Sequence, residues 1–202
     1  MNFGVLRVLN DDIVSGGMGF GTHAHDNMEI ISIPLEGDLE HKDSMGNVAV
    51  IKNGDIQIMS AGTGIKHSEK NKSHSNTVKF LQIWVVPNKK NVVPRYDQLT
   101  LVAEDRHNKL QQILSPNPED EGVWIHQDAW FHLGSLDQGN IQKYYIKKKG
   151  NGVYAFVISG RVSIEGLSLS ARDGLEILGT DMISIVADEN TEILLMEVPM
   201  NV

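Results

Sequence analysis

Apolar and polar side chains alternate in short bursts along most of this chain, and glycine, asparagine or aspartate closes each burst. "VAVIKNGDIQIMSAG" holds two such runs split by Asn53-Gly54, a dipeptide suited to a tight hairpin-type turn. "HKDSMGNVAVI" breaks similarly at Gly46-Asn47, and "VKFLQIWVVP" has the make-up of a buried strand closed by Pro87. The best helical segment is "DRHNKLQQIL" (Asp105–Leu114), stopped by Pro116. Many short strands at close spacing predict an all-β sandwich or barrel.

The pattern also repeats. "LEGDLEHKDSMGNVAVIKNGDIQIMSAGTGIKHSE" can be laid against "ISGRVSIEGLSLSARDGLEILGTDMISIVADE", matching Gly37 to Gly160 and the runs around Gly54 to those around Gly174. The second copy has the shorter hairpin, with Glu165-Gly166 in place of the "KDSMGN" loop. Two similar antiparallel β-barrel domains in tandem are therefore expected, residues 1–94 and 95–202. The segment "PNKKNVVPRYDQ" (Pro87–Gln98) has the Pro, Asn and Lys of a linker.

Composition narrows the chemistry. With 202 residues, 41% apolar and 22% charged, the chain can bury a substantial core. A net charge of −8 opposes non-specific binding to nucleic acid. The cluster Lys147, Lys148 and Lys149 fits a solvated strand end. Without cysteine there are no disulfides, thiolate metal sites or thiol nucleophiles, so any metal falls to His, Asp or Glu. The start of the chain lacks the basic and apolar regions of a signal peptide, and runs such as "FLQIWVVP" are too short to span a bilayer. A cytoplasmic location and no membrane partner are the expectation.

Two spaced pairs stand out. In "GFGTHAHDNMEI", His23 and His25 share one face of an extended strand, about 7 Å apart at Cα. In "GTGIKHSEKN", His67 and Glu69 do the same. If those strands are neighbours, three imidazoles and a carboxylate point into one cavity. That donor set suits Fe(II), Mn(II), Ni(II), Cu(II) or Zn(II) without selecting strongly among them. Two or fewer positions would stay open for water or substrate, as a catalytic site requires. In the second copy, counting from the turn glycine sets His67-Ser68-Glu69 on Ala187-Asp188-Glu189, and the His23/His25 region on "IKKK", so the imidazoles are absent there.

These segments, with the frame "SAGTGIKHSE", "GVWIHQDAWF" and "VSIEGLSLSARDGLEI", resemble the pirin family of the cupin superfamily over essentially the whole chain. Within it they resemble bacterial members described as quercetin 2,3-dioxygenases. The resemblance implies a bicupin: an N-terminal metal-binding cupin domain with ligands His23, His25, His67 and Glu69, and a C-terminal cupin-like domain without them. It implies one divalent ion, Fe(II) first, with Mn, Ni, Cu, Co or Zn as alternatives. The implied reaction is ring cleavage of a flavonol such as quercetin by dioxygen, with Glu69 as catalytic base. The implied alternative is a regulatory or redox-sensing partner of other proteins, and a third reading is a structural bicupin with an incidental site.

Two departures bear on this. The family commonly has HPHR where this sequence has "HAHD", which sets Asp26 in place of a cation. Relatives also carry residues ahead of "FGVLRVLNDD", and loss of a strand there would leave an open edge, widen the cavity or promote association. His41 runs in phase with Leu39 and is expected to be a hydrogen-bonded barrel histidine. His74, His107, His126 and His132 are expected at the surface or at domain contacts. Trp84, Trp124 and Trp130 are expected in packing.

Overall fold

The computed structural model describes residues 2–201, and they form antiparallel strands almost throughout. There are two compact units. The first comprises Leu6–Leu101 with Val123–Gln127; the second comprises Phe3–Val5, Val102–Gly122 and the chain from Asp128 onward.

In the first unit, β1 (Leu6–Val14), β8 (Val78–Val85), β3 (Glu29–Glu36), β6 (Asp55–Ser60) and β9 (Arg95–Thr100) form one sheet in that order. A second sheet runs β2 (Gly19–His25), β7 (Ile65–Asn71), β4 (Leu39–Asp43), β5 (Val48–Ile51). The division expected after residue 94 falls short, because β9 pairs along its length with β6. Few apolar residues mark β9. It is held instead by Gln98 and Thr100, whose side chains donate to Asp55 at 2.8 and 2.7 Å. The Asn53-Gly54 turn forms, with Gly54 at φ +91°. It joins strands of different sheets, so the two runs it splits do not pair.

Side chains from both sheets meet in two apolar clusters. Val14, Val78 and Phe80 from one sheet pack on Leu39 and Ile51 from the other. Ile30 and Met59 pack with Ile65 and Ala61. Because strand side chains alternate, the inward positions between the clusters are fixed: Ser32 on β3, Gln82 on β8, His67 and Glu69 on β7, and His41 on β4. All are buried and polar. A polar belt thus lies between two apolar layers.

Glu29, near the start of β3, is 1% exposed. It accepts from Ser60 Oγ at 2.6 Å. Burial pushes its carboxyl up to about 7, against the pull of Ser60, Arg95 and the His126 backbone N–H. Since the folded value lies above the ordinary 4.5, the native state holds this proton more tightly than the unfolded chain. The resulting stability is full below about pH 4.5 and is lost as pH rises through about 7. Glu29→Gln should remove that loss. In chemical denaturation, its stability relative to wild type should climb by up to about 3 kcal/mol between pH 4.5 and 8. Parallel pH curves would show that Glu29 is not held neutral.

The second unit repeats the plan. β10 (Leu110–Ser115), β12 (Trp130–Leu136), β19 (Thr191–Pro199), β14 (Asn151–Ser159) and β17 (Gly174–Ile177) lie in one sheet, and β13 (Ile141–Tyr145), β18 (Met182–Ala187), β15 (Arg161–Ile164) and β16 (Leu167–Ser170) in the other. The short β11 (Val123–Trp124) belongs to the first unit. The expected helix Asp105–Leu114 shrinks to α1 (Ala103–Arg106). His107 is already extended, with φ −73° and ψ 116°, which ends helical geometry, and Leu110 onward pairs with β12. Pairing outweighs a short stretch of helical spacing.

Candidate metal centre in the first barrel

β7 lies between β2 and β4, and its register sets the centre. His67 is directly opposite His23 on β2 and Asp43 on β4, and Glu69 is opposite His41. A bulge between Phe20 and His23 shifts the β2 register. The neighbouring strands that the spaced pairs require are therefore present. Ring centroids lie 4.4 Å apart for His23–His67, 5.0 Å for His25–His67 and 4.8 Å for His23–His25. One donor atom from each of these three histidines lies within 4.8 Å of the others.

Glu69 does not close into that same triad. It forms a second group with His67 and His41, again with donor atoms within 4.8 Å of one another. The four expected ligands are thus divided between two overlapping triads that share His67, the second completed by His41. His41 fits its expected place as a barrel histidine, fully buried with Nε2 3.2 Å from Asp43 Oδ2. The sequence signal that it also borders the centre was its phase with Leu39.

The surroundings orient these groups. His23 Nδ1 donates to the Gly21 carbonyl at 2.8 Å, which leaves Nε2 as a lone-pair donor. Ser32 Oγ donates to Glu69 Oε1 at 3.0 Å, and Gln82 Nε2 donates to Oε2 at 2.5 Å. Trp84 Nε1 in turn donates to Gln82 Oε1, fixing which way that amide points. Trp84 also meets the His25 ring edge-on at 4.9 Å.

Burial, followed by the neighbouring imidazoles of His23, His25 and His41, pushes His67 down to about 3. Burial and then His23 lower His25 as well. Burial raises Glu69 to about 7 despite its hydrogen bonds. Neutral imidazoles are the form that binds metal. Neither ring nitrogen of buried His67 has a hydrogen-bond partner. Such orphaned atoms cost about 1–3 kcal/mol each, and a cation would satisfy the His67 nitrogen that carries the lone pair together with Glu69. The donor set fits a divalent ion.

A cavity of about 400 Å³ opens beside His25, the one expected ligand that lines it, with Ala24, Asp26, Ser44, Thr63, Gly64 and Lys66 among its other walls. That volume lies in the range of small-molecule pockets.

In the second barrel the corresponding positions are apolar. Leu39 and Val162 each stand two residues past the matched glycines Gly37 and Gly160, and they pair with Asn71 and Ala187. Counting back along β7 and β18, Glu69 matches Ile185 and His67 matches Ile183; Tyr144, opposite Ile183, matches His23. The alignment to Ala187-Asp188-Glu189 is corrected by this register. β17 (Gly174–Ile177) is shorter than β6 (Asp55–Ser60), so counting from the turn glycine overshoots. Ile183, Ile185 and Tyr144 join the apolar core of that barrel. His132, expected at the surface or a domain contact, is buried there against Tyr144.

Two antiparallel barrels, the first with a buried histidine and carboxylate cluster, define a tandem cupin. Residues 1–85 match the family model for Pirin, and residues 112–198 match that for the quercetinase C-terminal cupin domain. A quercetin 2,3-dioxygenase of Escherichia coli strain K12 is 41% identical over 201 residues, covering 98% of this chain and 84% of its own. The crystal structure of the bacterial pirin YhhW in complex with nickel(II), from Escherichia coli, aligns with a TM-score of 0.91 at 40% identity, over 98% of this chain and 83% of that one. A quercetin 2,3-dioxygenase from Acinetobacter baumannii shares the fold, with a TM-score of 0.80 at 22% identity over 98% of this chain and 76% of that one. The chain belongs to the pirin family. Among the described residues no helix is long and apolar enough to cross a membrane.

Proposed function

We propose that this protein is a metal-dependent dioxygenase that opens the ring of flavonols such as quercetin, with His23, His25, His67 and Glu69 holding one divalent ion, Fe(II) in the first instance. The observation that carries this reading is buried His67, whose unpartnered ring nitrogens face imidazole neighbours across β2 and a carboxylate on its own strand. The names and the nickel complex of the relatives support the same reading. The ion, when bound, supplies a Lewis acid for the hydroxyl and keto oxygens of the substrate and an electronic route to dioxygen.

The chain's own residues do the rest. The cavity beside His25 receives the flat substrate, with Trp84 edge-on behind that imidazole. Glu69 accepts the proton of the substrate hydroxyl at a carboxylate oxygen. Ser32 and Gln82 keep that carboxylate aimed. Asp26 and Lys66 both line the cavity, so its walls carry one charge of each sign.

The test is oxygen uptake with a panel of flavonols and other enediols, on protein of measured metal content loaded in turn with Fe(II), Mn(II), Co(II), Ni(II) and Cu(II). Uptake in step with flavonol loss is the expected result. If no metal and no flavonol gives uptake, the reading fails and a metal-sensing partner role takes its place.

A further inference from the structure

The proposed four-ligand site leaves one buried imidazole unexplained. His41 lies on β4, the strand on the far side of β7 from His23 and His25, and its side chain is fully buried. Its Nε2 is 3.2 Å from Asp43 Oδ2. Asp43 is itself anchored by its own turn: Oδ1 accepts from the Met45 and Asn47 backbone N–H groups at 2.9 and 3.1 Å, and Oδ2 accepts from Asn47 Nδ2 at 2.8 Å. A carboxylate without a proton to give can only accept, so Nε2 carries the hydrogen and Nδ1 presents its lone pair. That Nδ1 has no hydrogen-bond partner. The ring lies 5.4 Å from that of His67 and is stacked at 4.8 Å and 32° on Tyr96, which limits its rotation.

A histidine with one nitrogen tied to an anchored carboxylate and the other bare and buried, in a ring that offers a donor atom within 4.8 Å of those of His67 and Glu69, has the arrangement of a metal ligand with its orienting partner. The His41–His67–Glu69 triad is also the wholly buried one of the two groups. Donors about 2.1 Å from one ion lie at most about 4.2 Å apart, so a small inward shift closes either triad on a cation.

Resting on the metal-centre reading above, we propose that His41 is a metal donor through Nδ1, and that the ion has two overlapping seats: an outer one of His23, His25 and His67, and an inner one of His41, His67 and Glu69. A neutral imidazole has one lone-pair nitrogen to give, so His67 serves one ion at a time. The two seats therefore hold a single ion between them. The inner seat keeps that ion in the barrel when an outer donor is lost.

Cobalt(II) titration of the metal-free protein, followed by visible absorption and metal analysis, separates the seats. Wild type should bind one ion per chain. The double variant His23→Ala with His25→Ala should still bind one ion, more weakly, with an altered absorption band. Adding His41→Ala to the double variant should weaken binding by a further tenfold or more, and adding Asp43→Asn instead should do so by about 10–100-fold. A double variant that binds no cobalt, or a triple variant as tight as the double, overturns the inner seat. A wild type that binds no divalent ion overturns the metal centre itself. Because a buried substitution can unfold the barrel, nitrogen NMR of histidine-labelled wild type gives a second readout. Zinc should move the His41 Nδ1 resonance from the lone-pair range to the metal-bound range, and an unmoved resonance in zinc-loaded protein overturns the proposal.

Discussion

His67→Ala is expected to leave purified protein with less than about a tenth of the wild-type metal and no measurable oxygen uptake with quercetin. The expectation follows from register. His67 sits on the central strand of the β2-β7-β4 trio and belongs to both donor triads. Removing it leaves His23 with His25 on one side and His41 with Glu69 on the other, two donors each. So small a donor set holds a divalent ion poorly in competition with water. The folded state should tolerate the change, because the lost ring makes no hydrogen bond. The small cavity left behind is offset by removal of orphaned polar atoms, so the metal-free variant should unfold within about 1 kcal/mol of metal-free wild type. Full metal content in this variant would remove the β7 pair from the centre.

Much of this arrangement was visible in the chain before its fold. The alternation in "IKHSEKN" sets Ile65, His67, Glu69 and Asn71 on one face, and all four are buried in β7. The spacing of His23 and His25 put both on one face of β2 for the same reason. The repeat anticipated two barrels, because the matched glycines close equivalent turns at φ +75° and +79°. What stayed hidden depended on pairing between distant strands. β9 carries few apolar residues and is fastened by Asp55, some forty positions earlier in the chain, so its composition resembled a linker. Leu110 onward pairs with β12, which local helical spacing could not foresee. His41 shares no short spacing with another ligand. It meets Glu69 across a strand pair, and that contact exists once β4 and β7 lie side by side. The Asp43 that orients it sits two residues on, inside the turn sequence "KDSMGN", where an aspartate reads as turn chemistry.

Glu69→Gln is expected to keep most of the metal and lose about 10²–10⁴-fold in flavonol turnover. The carboxylate has two duties in the proposed mechanism, as a donor to the ion and as the acceptor of the substrate's proton. Glutamine preserves the shape and one oxygen donor while removing charge and basicity. Its amide also fits the existing network. With the amide oxygen toward Gln82 Nε2 and the amide nitrogen toward Ser32 Oγ, both partners stay satisfied, since a hydroxyl can accept as readily as it donates. Gln82 itself cannot turn over freely, because its oxygen is engaged by Trp84. Three imidazoles remain to hold the ion, so metal analysis should separate the two duties. A variant with full turnover would show that the proton leaves by another route, and Glu69 would then be a ligand without a catalytic step.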